Sequence, residues 1–160
     1  SQFQDSILAT GKRPRVQMMY RESPCKSLPT RGRFGKKPEQ FADTDYTIHI
    51  FYADDVPAIC CECFIPRAIV FRESPDSSQH IRLYDYLHEY CGQKIEQKSV
   101  EFAIERADAA LAGHLQVPLG KPLLLWEETY YNYCDEVVCM AQNTFNLDVL
   151  PISLLRQHEQ

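Results

Sequence analysis

Apolar residues recur along this chain in two different periods. Ile81, Tyr84, Leu87 and Cys91 stand three or four positions apart, which puts them on one face of a helix predicted over 79–91, and Gly92 supplies its C-terminal stop. Residues 3–10 (FQDSILAT) read as a short helix ended by Gly11, with Pro14 beyond it. A third helix is expected over 107–115, which is rich in Ala and Leu and closed by Pro118 and Gly120. Elsewhere the pattern is that of strands: 15–21, 46–53, 57–65, 94–103, 122–133 and 137–147, with 152–156 as a last short one. Asp54-Asp55-Val56 and Cys134-Asp135-Glu136 are turn-forming interruptions between neighbouring strands, and each predicts a hairpin. Helices are too few and too irregularly spaced for repeated βαβ units. The expected fold class is therefore α+β, an antiparallel sheet flanked by helices.

Residues 22–40 break both periods. They carry Pro24, Pro29, Pro38, Gly32 and Gly35 together with Lys26, Arg31, Arg33, Lys36 and Lys37, and Arg21 stands at the edge. That is loop chemistry, either a solvated basic segment or a contact for a partner or anionic ligand. The chain as a whole is acidic: 17 Lys and Arg against 22 Asp and Glu give a net charge of −5. Such a balance argues against this chain gripping a nucleic acid backbone by itself, which needs a concentrated basic surface. Its length of 160 residues suits one domain, and no run of apolar residues is long enough to cross a bilayer as a helix. The sequence opens Ser1-Gln2-Phe3-Gln4, without an initiator Met or a signal segment, and reads as a piece of a longer protein.

Seven cysteines (Cys25, Cys60, Cys61, Cys63, Cys91, Cys134 and Cys139) are an odd number in a chain large enough to build its own core. This favours free thiols in a reducing, cytoplasmic setting over a disulfide framework. Cys60 and Cys63 have the C-x2-C spacing of a metal site, but an extended backbone sends them to opposite faces, and no second pair or His-x3-His partners them. The cluster is read as small core residues or cavity wall, with a redox sensor as the alternative; no metal or cofactor is expected. Phosphate-cradling glycine loops and the G-x-S-x-G elbow are absent. His49, His80, His88, His114 and His158 are scattered, and Glu127-Glu128 would point to opposite faces of a strand, so no acid–base pair stands out.

The order of these features resembles a known family. The stretch from "LYDYLHEYCGQKIEQKSVEFAIERADAALAGHLQVPLGKPLLLWEETYYNYCDEVV" is similar to the run of helix, strand, A-x-x-x-x-A-x-x-L helix, P-x-G-x-P-L-L strand and hairpin of the UTRA domain, the effector-sensing half of HutC-type regulators among the GntR-family transcription factors of bacteria. "YADDVPAICCECFIP" resembles that family's first hairpin, and "FQDSILATGKRP" its opening helix. The resemblance implies a chorismate lyase-like fold and makes 1–160 one ligand-sensing and dimerisation domain. It further implies a winged helix-turn-helix upstream, a homodimer, and operator DNA contacted only through that upstream part. It implies a regulator, of which repression is one form, and no enzyme. A lyase acting on an aromatic acid on the same fold, or a thiol redox sensor, is the alternative.

The resemblance also marks a site. Members that sense sugar phosphates carry R-x-R on the first hairpin strand, Glu on the second and Ser-x-Tyr at the start of the next helix. Those positions fall here on His49 and Phe51, on Cys61, and on Arg82-Leu83-Tyr84. Loss of both Arg removes the fixed cations that a phosphate needs, so the expected effector is anionic but not a sugar phosphate, a carboxylate or an aromatic metabolite. Arg82, Tyr84 and the first amides of the helix beginning near residue 79 would hold its head group, and His49 and Phe51 would cover its body. His49, Phe51, Cys61, Arg82 and Tyr84 also have a plain reading as strand packing or helix surface.

Overall fold

A computed structural model of the protein describes residues 2–25, 39–73, 81–153 and 157–158. Six strands form one antiparallel sheet: β1 (Pro14–Cys25), β2 (Thr44–Ala53), β3 (Val56–Pro66), β4 (Ile95–Arg106), β5 (Pro122–Asn132) and β6 (Val137–Phe145). Their order across the sheet is β1-β2-β3-β6-β5-β4, which leaves β1 and β4 at the edges. Three helices cover the sheet: α1 (Gln2–Ala9), α2 (Leu83–Glu89) and α3 (Ala109–Leu115). Short 3-10 turns occupy Glu39–Ala42 and Arg67–Ile69. This is the expected α+β class.

Local chemistry fixes the connections. Asp54 and Asp55 both take positive φ (48° and 63°), the pair of left-handed residues that a two-residue hairpin turn requires between β2 and β3. In the β5–β6 turn the Asn132 side chain accepts from the amides of Cys134 and Glu136, at 2.9 and 3.0 Å, and Asp135 carries the positive φ. Asp108 caps α3, its Oδ1 accepting from the Leu111 amide at 2.9 Å.

Alternation then sorts the side chains. Tyr46, Ile48, Ile50 and Tyr52 of β2, with Cys60 and Phe64 of β3, lie on the face covered by Leu111 and Leu115 of α3. The opposite face carries two separate clusters. One joins Ile7 of α1 to Phe51, Ile59, Trp126 and Phe145, and the other joins Leu87 of α2 to Ile65, Tyr130 and Cys139. The two helices thus cover different ends of one face, with a gap between them.

Four boundaries differ from those read in the sequence by three residues or more. β1 continues through residues 22–25, assigned above to a loop, because Thr44 pairs with Cys25 and β1 is an edge strand that tolerates Pro24. The helix expected from 79 has its first helical residue at Leu83, with Arg82 as its N-cap in extended conformation. β4 runs three residues further than expected, to Arg106, held by its full register with β5. Residues 151–153 have no regular structure, and 154–156 lie outside the described residues, as does the basic segment from Lys26 to Lys37.

Candidate functional site

A cavity of about 460 Å³ lies between α1, α2 and the sheet, a size suited to a small metabolite. Its floor can be read off the strand registers. His49 pairs with Cys61 and Cys61 with Asn143, which makes one row across β2, β3 and β6. The next row is Thr47, Cys63, Ala141 and Glu128. All of these side chains line the cavity. Arg82, Leu83, Tyr84, Asp85 and Tyr86 form one wall, and Gln2, Phe3 and Asp5 of α1 form another.

Four of the five sequence-predicted residues therefore meet: His49, Cys61, Arg82 and Tyr84. Phe51 does not line the cavity. It shares the face of His49, but the Phe3 ring stands edge-on to it at 5.7 Å and closes that end of the sheet. Its place against the cavity is taken by Phe3. Cys61 and Cys63 face the cavity while Cys60 is buried against α3, the alternation expected of an extended chain. The helix amides expected to receive an anionic head group are a weaker feature than expected, because α2 has only seven residues and Asp85 stands in its first turn.

Two ion pairs bracket the cavity. At the β2 end the Arg21 guanidinium grips the buried Asp45 carboxylate with both branches, Nε to Oδ1 at 3.1 Å and Nη2 to Oδ2 at 3.3 Å. The Tyr86 hydroxyl donates to Oδ2 of the same carboxylate at 3.4 Å. Burial and the charge of Asp45 push the Tyr86 phenol up, so it remains a donor. At the β5 end, Lys98 Nζ lies 2.8 Å from Glu128 Oε2, and Asn143 Nδ2 donates to Glu128 Oε1 at 2.8 Å. Burial, then the charge of Glu128, pushes the Tyr130 phenol up as well. Arg82 makes no ion pair among the described residues, and Tyr84 meets Tyr130 edge-on at 5.7 Å.

Sequence reasoning missed Arg21, Asp45, Lys98, Glu128 and Asn143. The register signal for Glu128 was present: it alternates with Trp126 and Tyr130, and the β5–β6 turn sets it opposite Ala141. Arg21 was not findable by alternation. A bulge between Met18 and Tyr20 adds a residue to β1, so Met18 and Arg21 face the cavity together although their numbers differ by three.

The thiols of the floor are packed groups. Cys63 Sγ lies 3.5 Å from Cys139 Sγ. Burial pushes Cys61 and Cys139 well up, and Cys91 up to about 12, which holds these three protonated at neutral pH. Among the described residues, no three His, Cys, Asp or Glu side chains are disposed to hold a metal ion. No described helix is long and apolar enough to cross a membrane.

Comparison with known proteins places this geometry. No curated protein matches the sequence. Solved structures do match in fold. The effector domain of PhnF from Mycobacterium smegmatis superposes with a TM-score of 0.76 at 13% identity, covering 98% of this chain and 94% of that one. A GntR-family transcriptional regulator from Enterococcus faecalis gives a TM-score of 0.67 at 18% identity over 89% of this chain and 100% of that one. YydK of Bacillus subtilis, described as a possible transcriptional regulator, gives 0.70 at 14% identity, and this chain spans only 63% of its length. The sequence profile of the UTRA domain matches residues 46–150, which include both hairpins, α2 and α3. The chain belongs to the UTRA family of effector-sensing domains.

Proposed function

We infer that this UTRA domain binds a small organic effector in the cavity between α1, α2 and the sheet, and that occupancy of the cavity adjusts DNA binding by a regulator of which the domain is one part. The observation that carries this reading is the cavity itself: about 460 Å³, walled by Phe3, Tyr84 and Tyr130, with polar groups converging from β1, β2, β4, β5 and β6. The PhnF look-alike is an effector domain and the Enterococcus faecalis one a GntR-family transcriptional regulator, which supports regulation over catalysis. On this reading a winged helix-turn-helix precedes the domain, the working species is a cytoplasmic homodimer, and the default action is repression. The subtype is HutC-like.

The effector carries a carboxylate and is not a sugar phosphate. One of the two positions where phosphate sensors hold Arg is His49, and the other is Phe51, which sits behind Phe3. Arg82 is a wall cation with no acidic partner among the described residues, suited to a single carboxylate with the Tyr84 hydroxyl beside it. His49 and Cys61 contact the ligand from the floor. A lyase would need a general acid where Cys61 stands, and burial keeps that thiol from ionising.

The test is a thermal-shift panel of carboxylates, aromatic acids and sugar phosphates on the wild-type domain. A true effector at a hundred times its dissociation constant adds about 2.7 kcal/mol, which is several degrees in Tm. Stabilisation by carboxylates that is lost in Arg82→Ala is the expected outcome. Stabilisation by sugar phosphates alone would overturn the effector class.

A further inference from the structure

The cavity already binds an ammonium group, and it is the protein's own. Lys98 Nζ sits 2.8 Å from Glu128 Oε2, 3.3 Å from Gln2 Oε1 and 5.6 Å from the centre of the Tyr130 ring. A carboxylate, an amide oxygen and an aromatic face within 6 Å are the components of an alkylammonium cradle. Glu128 is built into the floor: its side chain is 4% exposed, and its other oxygen is held by Asn143. Lys98 is held less firmly. It reaches in from the edge strand β4 on a flexible stem, and its side chain is 20% exposed against 4% for Glu128.

We propose that the effector carries an ammonium group which takes the place of Lys98 against Glu128 and Tyr130. Lys98 is then a tethered stand-in that keeps the buried carboxylate compensated while the cavity is empty. The balance of charge agrees: four carboxylates line the cavity (Asp5, Asp45, Asp85 and Glu128) against the three cations Arg21, Arg82 and Lys98. A buried carboxylate without a cation is costly, so the exchange works only for a ligand that replaces the charge as Lys98 leaves. Neutral and purely anionic ligands leave Lys98 where it is. With a carboxylate at Arg82, the inferred ligand is a zwitterion, an amine and a carboxylate on one small molecule. Departure of Lys98 also breaks its contact with Gln2, so the exchange is felt in α1. This inference rests on the reading of the cavity as the effector site, but its test needs no effector.

Lys98→Ala removes the tethered ammonium and leaves a gap that n-propylammonium fills atom for atom. Thermal unfolding is followed for the wild type, Lys98→Ala and Lys98→Ala/Glu128→Gln in n-propylammonium chloride, with sodium chloride at equal ionic strength and n-propanol as controls. Lys98→Ala should melt several degrees below the wild type, and n-propylammonium should raise it saturably by most of that difference. The double variant should gain nothing beyond the salt control, and the wild type should need at least ten times more amine. If Lys98→Ala does not fold alone, recovery of folded protein on refolding with n-propylammonium, but not with sodium chloride, supports the cradle equally. An equal response of the single and double variants, rescue by n-propanol as good as by the amine, or no rescue at all overturns it. Any of those results leaves the carboxylate panel above untouched, so the two readings fail separately.

Discussion

The ring of Phe3 meets the indole of Trp126 edge-on, with 5.8 Å between centroids. Phe3 belongs to the first helix and Trp126 to β5, and the same ring also stands edge-on to Phe51 at 5.7 Å and to Phe145 at 5.2 Å. With the buried Ile7 beside it, this side chain seats α1 on the sheet, and it closes one end of the cavity. The Trp126 Nε1 proton is buried without a hydrogen-bond partner among the described residues. Trp126 is the sole tryptophan, so the protein's tryptophan emission reports on the surroundings of this one indole. Phe3→Ala should red-shift the folded-state emission as water reaches the indole. Each edge-on pair contributes about 0.5–1.5 kcal/mol, and the Phe3 ring is only partly buried, so the expected loss is about 2–3 kcal/mol, below that of a fully buried Phe. Urea unfolding followed by Trp126 fluorescence measures both. An unchanged emission maximum would mean that α1 does not cover the indole.

Asp45 and Arg21 make an unequal pair. The Asp45 side chain is 8% exposed and that of Arg21 37%, so either can lose its partner, but only Arg21 can turn to water. Arg21→Met should therefore cost more than Asp45→Asn, by about 1–2 kcal/mol, because it strands a buried carboxylate with only the Tyr86 hydroxyl to hold it. Asp45→Asn keeps one carbonyl oxygen for Arg21 Nη2 and Tyr86, and the Arg21 Nε left facing the amide nitrogen can turn to water. Chemical denaturation of the two variants gives the comparison, and equal losses would show that the pair is effectively solvated.

The ranks of residues on the sheet were legible wherever strand parity and a tight turn decided them. Asp54-Asp55 fixed the β2–β3 hairpin, and parity then put Cys61 with Cys63 and opposite to Cys60, as found. Parity also separated Glu127 from Glu128, yet it did not say which of them faced the ligand side. That depends on which helix covers which face, a tertiary fact. Phe51 illustrates the same limit. Its face was right, but α1 packs across it and replaces it at the cavity with Phe3, which lies well before Val16, the β1 residue that pairs with Phe51. The missed Arg21 has a local cause: one extra residue in an edge strand inverts parity for everything that follows. The Lys98–Glu128 pair lies on a diagonal, since Lys98 pairs with Tyr130 and Glu128 with Val100, so neither residue announces the other in the sequence.

The thiols should separate by burial. Cys134 is exposed in the β5–β6 turn, while Cys61 and Cys139 are buried and pushed well up by desolvation, and Cys91 is pushed up to about 12. Alkylation runs through the thiolate, and a raised pKa lowers the thiolate fraction at a given pH. At pH 8 iodoacetamide should label Cys134 at least about a hundredfold faster than Cys61, Cys91 or Cys139. Labelling of the buried three should accelerate in step with urea-induced unfolding. Peptide mass mapping of a labelling time course reads each site. Fast labelling of Cys61 in the folded domain would revive a thiol-sensing role for the cavity floor.

The edge strand β4 bears on the proposed dimer. Ile104 is 72% exposed and Phe102 44%, and both lie on the face of the sheet that carries α1, at a strand edge with no pairing partner among the described residues. An exposed apolar edge is a template for association unless something covers it. A second copy of the domain would bury both side chains and complete the strand pairing. Sedimentation equilibrium at tens of micromolar should then give about 37 kDa, twice the 18.6 kDa of one chain. Ile104→Lys puts a charge where the partner would pack and should shift the domain to monomer, with little effect on its own melting at low concentration, since Ile104 contributes little burial within one chain. A wild-type monomer under these conditions would refute pairing through this domain. A dimer that survives Ile104→Lys would keep the pairing but move it to another surface.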